Sequence, residues 1–134
     1  MKKTFLLNSE ISYAISKLGH TESLCVADCG LPVPQNVRRI DLAVSAGIPS
    51  FADVLRAVLS EMQVESVLLA EEIKSNADFH GLILDMIKTN NPQVKVIYAP
   101  HSLFKIKTED ASAVIRTGEQ TAFANILLYS GVVF

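Results

Sequence analysis

Apolar positions along this chain follow two alternating rhythms: helical spacing of three and four, and short unbroken runs. Ile11, Ala14, Ile15 and Leu18 lie at helical spacing; Asn8 or Ser9 can cap the start and Gly19 the end, predicting a helix over 10–18. Residues 24–27 are apolar, too few for a helix and bounded by turn signals, so they read as a buried strand. After the Gly-Leu-Pro-Val-Pro turn, 39–43 is a further strand candidate. Ser50 with Asp53 three residues on is a variant capping box, and Phe51, Val54, Leu55, Val58, Leu59 and Met62 then form one apolar face. The run Val-Leu-Leu-Ala within 64–70 predicts a strand covered on both faces. A third helix is predicted over 77–88, with Phe79, Leu82, Ile83, Met86 and Ile87 inward and Asn90-Asn91-Pro92 ending it. Strands at 94–98 and 113–115, a short helix at 102–107, and strand candidates at 126–128 and 132–134 complete the series.

Strands alternating with helices imply an α/β fold, a single three-layer α/β/α domain with a mostly parallel sheet spanning residues 1–134. A chain of this length buries roughly two-thirds of its unfolded surface, enough for a core without covalent staples. No internal repeat, linker or low-complexity stretch interrupts it.

Charge narrows the range of partners. The net charge is −2 and basic residues cluster only as the pairs Lys2-Lys3 and Arg38-Arg39, which argues against nucleic acid. The apolar run Phe5-Leu6-Leu7 is far short of a signal-peptide core, and no stretch approaches the roughly 18 apolar residues of a membrane span. The expectation is a cytoplasmic protein with no membrane insertion. Cys25 and Cys29 lack the Cys-x-x-Cys spacing and have no second pair to complete a zinc site; Cys25, among apolar neighbours, reads as a small core residue.

In open α/β sheets, ligands collect beyond the carboxyl ends of the strands. Asp28, Glu71 and Glu72, His101, and the run Arg116-Thr117-Gly118-Glu119 each follow a predicted strand, so they converge on one edge. Each also has a plainer role. Asp28 can cap the turn at Cys29-Gly30, Glu71 and Glu72 can serve a helix start, and His20 can interact with a helix end. No phosphate-cradling glycine loop and no Gly-x-Ser-x-Gly motif is present, and His20, His80 and His101 lack metal-ligand spacing. Acid–base chemistry with no cofactor and no metal is the simplest reading left.

The segments "LNSEIS", "LGHTESLCVADCGLPVP", "RRIDLAVSAGIPSF", "AEEIK", "YAPHSLFK" and "IRTGEQTAFANILLYSGVVF", in this order, resemble the D-ribose pyranase family and, more distantly, the L-fucose mutarotases. The resemblance covers the whole chain. It implies interconversion of β-D-ribopyranose and β-D-ribofuranose, supplying furanose for ribose catabolism, in a homodecamer of two stacked pentameric rings. The family's proton donor falls on His20 and its substrate-binding residues on Asp28, His101 and the stretch Phe123, Ala124, Asn125. That stretch departs from the family's usual "TPYAN": here it reads "TAFAN", so an aromatic face is kept and a phenol lost. Two other functions stay open, a non-catalytic sugar-binding accessory of ribose transport and a mutarotase for another sugar such as fucose.

Ring interconversion needs a base for the anomeric hydroxyl and an acid for the ring oxygen, and histidine titrates in the useful range. The expected roles are His20 as acid, Asp28 holding a hydroxyl, His101 as second polar partner and base, and Asn125 orienting hydroxyls. Residues 20 to 28 fully extended would span on the order of 26 Å, far more than a pentose. Either the chain bends near Thr21–Ser23, or the two residues meet from different subunits. The expectation favours the bend, with Phe123–Asn125 coming from a neighbour.

Overall fold

The computed structural model describes residues 1–134. Helix α1, Ser9–Lys17, begins where the Asn8 side chain accepts the Ile11 N–H at 2.9 Å. Strand β1, Ser23–Ala27, is buried at all five positions because both of its faces are covered. Strand β2, Arg38–Asp41, leads to helix α2, Phe51–Leu59, whose Ser50 cap accepts the Asp53 N–H as the sequence predicts. Strand β3, Val64–Ala70, has the predicted limits and runs into a 3-10 turn at Glu71–Ser75. Helix α3, Ala77–Asn90, strand β4, Lys95–Ala99, and helix α4, His101–Lys107, follow. After a further 3-10 turn, Thr108–Asp110, strands β5, Ala113–Arg116, and β6, Ile126–Ser130, close the series.

The six strands form one sheet in the order β2-β5-β1-β6-β3-β4. All neighbouring pairs are parallel except those of β6, which runs against both β1 and β3. The sheet is therefore mostly parallel, with one opposed strand threaded through its centre.

Alternation along β1 assigns the layers. Leu24 and Val26 face α1, α2 and α3, packing with Ile11, Phe51, Leu55, Ile83 and Ile87. Cys25 and Ala27 face the opposite layer, where Phe104 of α4 meets Leu31, Val114 and Leu127. Phe51 and Phe104 are fully buried, each contributing about 1.5–3 kcal/mol by burial. Burial also pushes the Cys25 thiol pKa far up, with the nearby Asp28 charge adding to it, so this cysteine is a core residue and no nucleophile.

Three local expectations differ from the structure. Leu82 is exposed, because Ile83 and Ile87 define the buried line of α3 and Leu82 lies off it. Residues 132–134 form no strand and are exposed: beyond Gly131, whose N–H donates to Gln63 O, no strand runs alongside. Gly19 is not the left-handed residue after α1; that conformation falls on Thr21, at φ 70°.

Candidate active site

Five strands run the same way, so their carboxyl ends share one edge of the sheet, and there the chain collects its polar groups. Asp28 leaves β1 with its carboxylate fixed from two sides. Its Oδ1 accepts the Gly30 N–H at 2.9 Å, and its Oδ2 accepts from Asn125 Nδ2 at 2.7 Å. Asn125 Oδ1 in turn accepts the Asp28 N–H at 2.9 Å. Thus the turn-capping role and the site role of Asp28 coexist. Threading β6 between β1 and β3 is what brings Asn125, just before β6, beside the end of β1.

His101 opens α4 directly after β4 and Pro100. Its N–H donates to both oxygens of Glu72, at 3.0 and 2.9 Å, and this hydrogen bond holds the Glu72 carboxyl below its ordinary pKa. The His101 ring stacks on Phe104 at 6.2 Å and meets Phe123 edge-on at 5.1 Å. Its Nδ1 is buried with no hydrogen-bond partner. A buried polar atom left unpaired is costly, and a ligand hydroxyl would satisfy it. Phe123 sits in the left-handed region at φ 64°, which turns its ring onto His101.

These residues line a cleft of about 530 Å³, a size suited to a small ligand, with Asp28, His101, Lys105, Gln120 and Phe123 on its walls. Ala124 and Asn125 are fully buried behind it. No sequence motif marks Lys105; its one signal is the four-residue spacing from His101, which puts both on one helix face. Glu119 and Arg116 brace the cleft. Glu119 accepts from the N–H groups of Phe51, Gln120 and Thr121 and from the Thr121 hydroxyl. Arg116 joins Cys29 O to the Asp41 carboxylate. A second groove, of about 490 Å³ between α2 and α3, holds no unpartnered buried polar atom.

His20 is elsewhere. It precedes β1, and its Nε2 lies 2.9 Å from Glu65 Oε2 at the start of β3, the amino edge of the sheet. The bend that would bring it to Asp28 does not form. Residues 23–27 pair on both sides, with β5 and β6, and a five-residue strand locked between neighbours stays extended. Nor does Phe123–Asn125 have to come from a neighbour, since Asn125 bonds Asp28 and Phe123 packs on His101 within one chain.

The model of the RbsD / FucU transport protein family matches residues 1–133. The chain belongs to the RbsD/FucU family. Within that family it is 52% identical over 139 residues to the D-ribose pyranase of Maridesulfovibrio salexigens, and 49% identical over 134 residues to that of Bacillus cytotoxicus, covering all of both chains in each case. Among solved RbsD/FucU structures, it superposes on Bacillus subtilis RbsD complexed with D-ribose with a TM-score of 0.91 at 42% identity, covering all of both chains. The fucose mutarotase of Streptococcus pneumoniae in complex with L-fucose shares the fold, with a TM-score of 0.77 at 20% identity, covering 97% of this chain and 96% of that one.

Proposed function

We propose that this chain is a D-ribose pyranase, interconverting β-D-ribopyranose and β-D-ribofuranose by opening and reclosing the ring and so supplying furanose for ribose catabolism. The full-length likeness to the ribose-complexed RbsD carries this reading. The cleft adds chemistry in its favour. A carboxylate held from two sides, an unpaired imidazole nitrogen and an aromatic face are the groups a pentose needs.

In this scheme Asp28 holds a sugar hydroxyl, its orientation set by Asn125. His101 takes the proton from the anomeric hydroxyl through Nδ1 as the bond from C1 to the ring oxygen breaks. His20 gives its proton to that oxygen. The open aldehyde rotates, the other hydroxyl attacks C1, and the protons return by the reverse transfers. Only the chain and the sugar exchange protons, so the scheme assigns no step to a cofactor. Because His20 and Asp28 sit at opposite edges of the sheet, His20 serves the cleft of a second copy.

A homodecamer of two pentameric rings, one domain per chain and a cytoplasmic location belong to the same proposal. The exposed apolar side chains Ile97, Leu103 and Ile106 around α4, and the separation of His20 from the cleft, support assembly. No helix is long and apolar enough to cross a membrane.

Saturation transfer between pyranose and furanose anomeric protons of D-ribose, with and without the protein, tests the activity. Faster exchange is expected. Binding without faster exchange would favour a sugar-binding accessory, the reading that the missing phenol at Phe123 supports. Acceleration with L-fucose alone would favour a mutarotase. Wild-type exchange by His20→Ala would remove His20 from the scheme.

A further inference from the structure

The loop that carries His20 is built with more care than a surface turn requires. Thr21, a β-branched residue, sits at φ 70°, in the left-handed region that such residues rarely adopt. Its N–H donates to Ser130 O, and the Ser130 N–H returns to Glu22 O, lashing the loop to the end of β6. Opposite, β3 carries a bulge: Val64 pairs with Ser130 and Ser66 with Tyr129, leaving Glu65 as the extra residue. Bulges re-aim side chains, and this one presents Glu65 to His20 at 2.9 Å. Gly131 makes the room, since a Cβ there would lie 3.1 Å from Glu65 Cβ.

Stability does not explain this arrangement. Both partners are about half exposed, and an exposed ion pair stabilises little, less than a strained residue and an interrupted ladder forfeit. A role for the ring itself does explain it. A carboxylate only accepts, so the nitrogen facing Glu65 must carry hydrogen.

We infer that Glu65 is the positioning residue for His20: its carboxylate holds Nε2–H and leaves Nδ1 to carry the proton that is transferred. When imidazolium Nδ1–H gives its proton to the ring oxygen, the neutral ring left behind has hydrogen on Nε2, and the bond to Glu65 survives. The same tautomer is ready to take the proton back, so the ring neither turns nor exchanges partners during a cycle. This rests on the reading of His20 as proton donor.

The test uses the full-length assembled protein with D-ribose as probe, and compares Glu65→Ala, Glu65→Gln and His20→Ala. Glu65→Ala should lower kcat about tenfold, the effect of one hydrogen bond to a charged group, with KM within about twofold. Glu65→Gln, which keeps an acceptor but no charge, should recover part of that loss. It also serves if Glu65→Ala fails to assemble. Imidazole 15N spectra should show His20 with hydrogen on Nε2 in the wild type, shifting toward an average of both tautomers in Glu65→Ala. An unchanged kcat in both Glu65 variants, while His20→Ala abolishes exchange, would overturn this inference alone. So would a loss confined to KM with an unchanged 15N spectrum. Full exchange by His20→Ala would instead overturn the donor assignment and this inference with it.

Discussion

Asn125 and Asp28, 97 positions apart, hold each other through two opposed hydrogen bonds: backbone N–H to side-chain oxygen at 2.9 Å, and side-chain amide to carboxylate at 2.7 Å. Asn125 is fully buried, so Asn125→Ala strands an N–H and frees one carboxylate oxygen. The expected cost is about 1–3 kcal/mol, read as a lower urea midpoint, together with loss of ribose exchange. Asn125→Asp places a second carboxylate against the first, and its midpoint should recover on mild acidification as one of the pair takes up a proton. Wild-type midpoints in both variants would show that the pair is ornamental.

Gly118 marks the closest backbone approach near the cleft. A Cβ there would meet Ile48 N, Ile48 O and Ser45 O, each at 2.5 Å, and none of these can move without shifting the 45–48 turn. Gly118→Ala should therefore destabilise by about 1–3 kcal/mol and raise KM for ribose, because the same loop leads through Glu119 to Phe123. Gly81, in α3 with nothing within 4 Å of its Cβ position, is the control. Gly81→Ala should stabilise by about 0.5–1 kcal/mol. Thermal denaturation of both checks the contrast.

These elements divide by the range of the interactions that set them. The apolar run of β3 and the Ser50 cap of α2 are local, and both stand where the pattern predicts them. The positions of Asp28 and His101 at one edge follow from strand direction alone, which alternation with helices implies. The same reasoning separates His20 from Asp28, since one precedes β1 and the other follows it. A bend between them would have to break the pairing of β1 with β5 and β6. What no local pattern carries is β6 running antiparallel between β1 and β3, hence the Asn125–Asp28 pair, or the bulge that aims Glu65. Residues 132–134 carry strand-like chemistry without a strand beside them.

The resemblance to the family's "TPYAN" implies a tyrosine at the position of Phe123. Its ring edge on His101 at 5.1 Å persists in Phe123→Tyr, and the added phenol supplies one hydrogen bond for a sugar hydroxyl. At about 0.5–1.5 kcal/mol, that bond should raise kcat/KM for ribose by between a few-fold and about tenfold. An unchanged or lower kcat/KM would mean that the cleft already satisfies that hydroxyl by other means.

Glu119 ties the cleft loop to the start of α2, and its stability contribution depends on pH. Partial burial acts to raise its pKa, but hydrogen bonds from the Thr121 hydroxyl and the Thr121, Phe51 and Gln120 N–H groups outweigh burial and lower it. A folded-state value below the unfolded one adds stability that is complete above the ordinary glutamate range and lost as pH falls through the folded value. Glu119→Gln should be less stable than wild type near neutral pH, and its stability should change less on acidification. Denaturant midpoints at neutral and acid pH measure both; parallel curves would remove Glu119 from the account.

The separation of His20 from Asp28 makes the decisive prediction one of mixing. If His20 of one copy completes the cleft of another, His20→Ala and Asp28→Asn should each be inactive alone. Co-assembled by unfolding and refolding an equal mixture, they should regain activity. A working site needs its His20 from an Asp28→Asn chain and its cleft from a His20→Ala chain, a coincidence met in about a quarter of randomly assembled sites. Recovery should scale with the product of the two fractions, peaking at equal amounts. Exchange that stays absent at every ratio, in mixtures shown by mass to contain both chains in one particle, would place His20 outside the neighbour's cleft. Recovery near one quarter would make assembly itself part of the catalytic apparatus, because an isolated chain holds His20 on Glu65, at the edge of the sheet opposite Asp28.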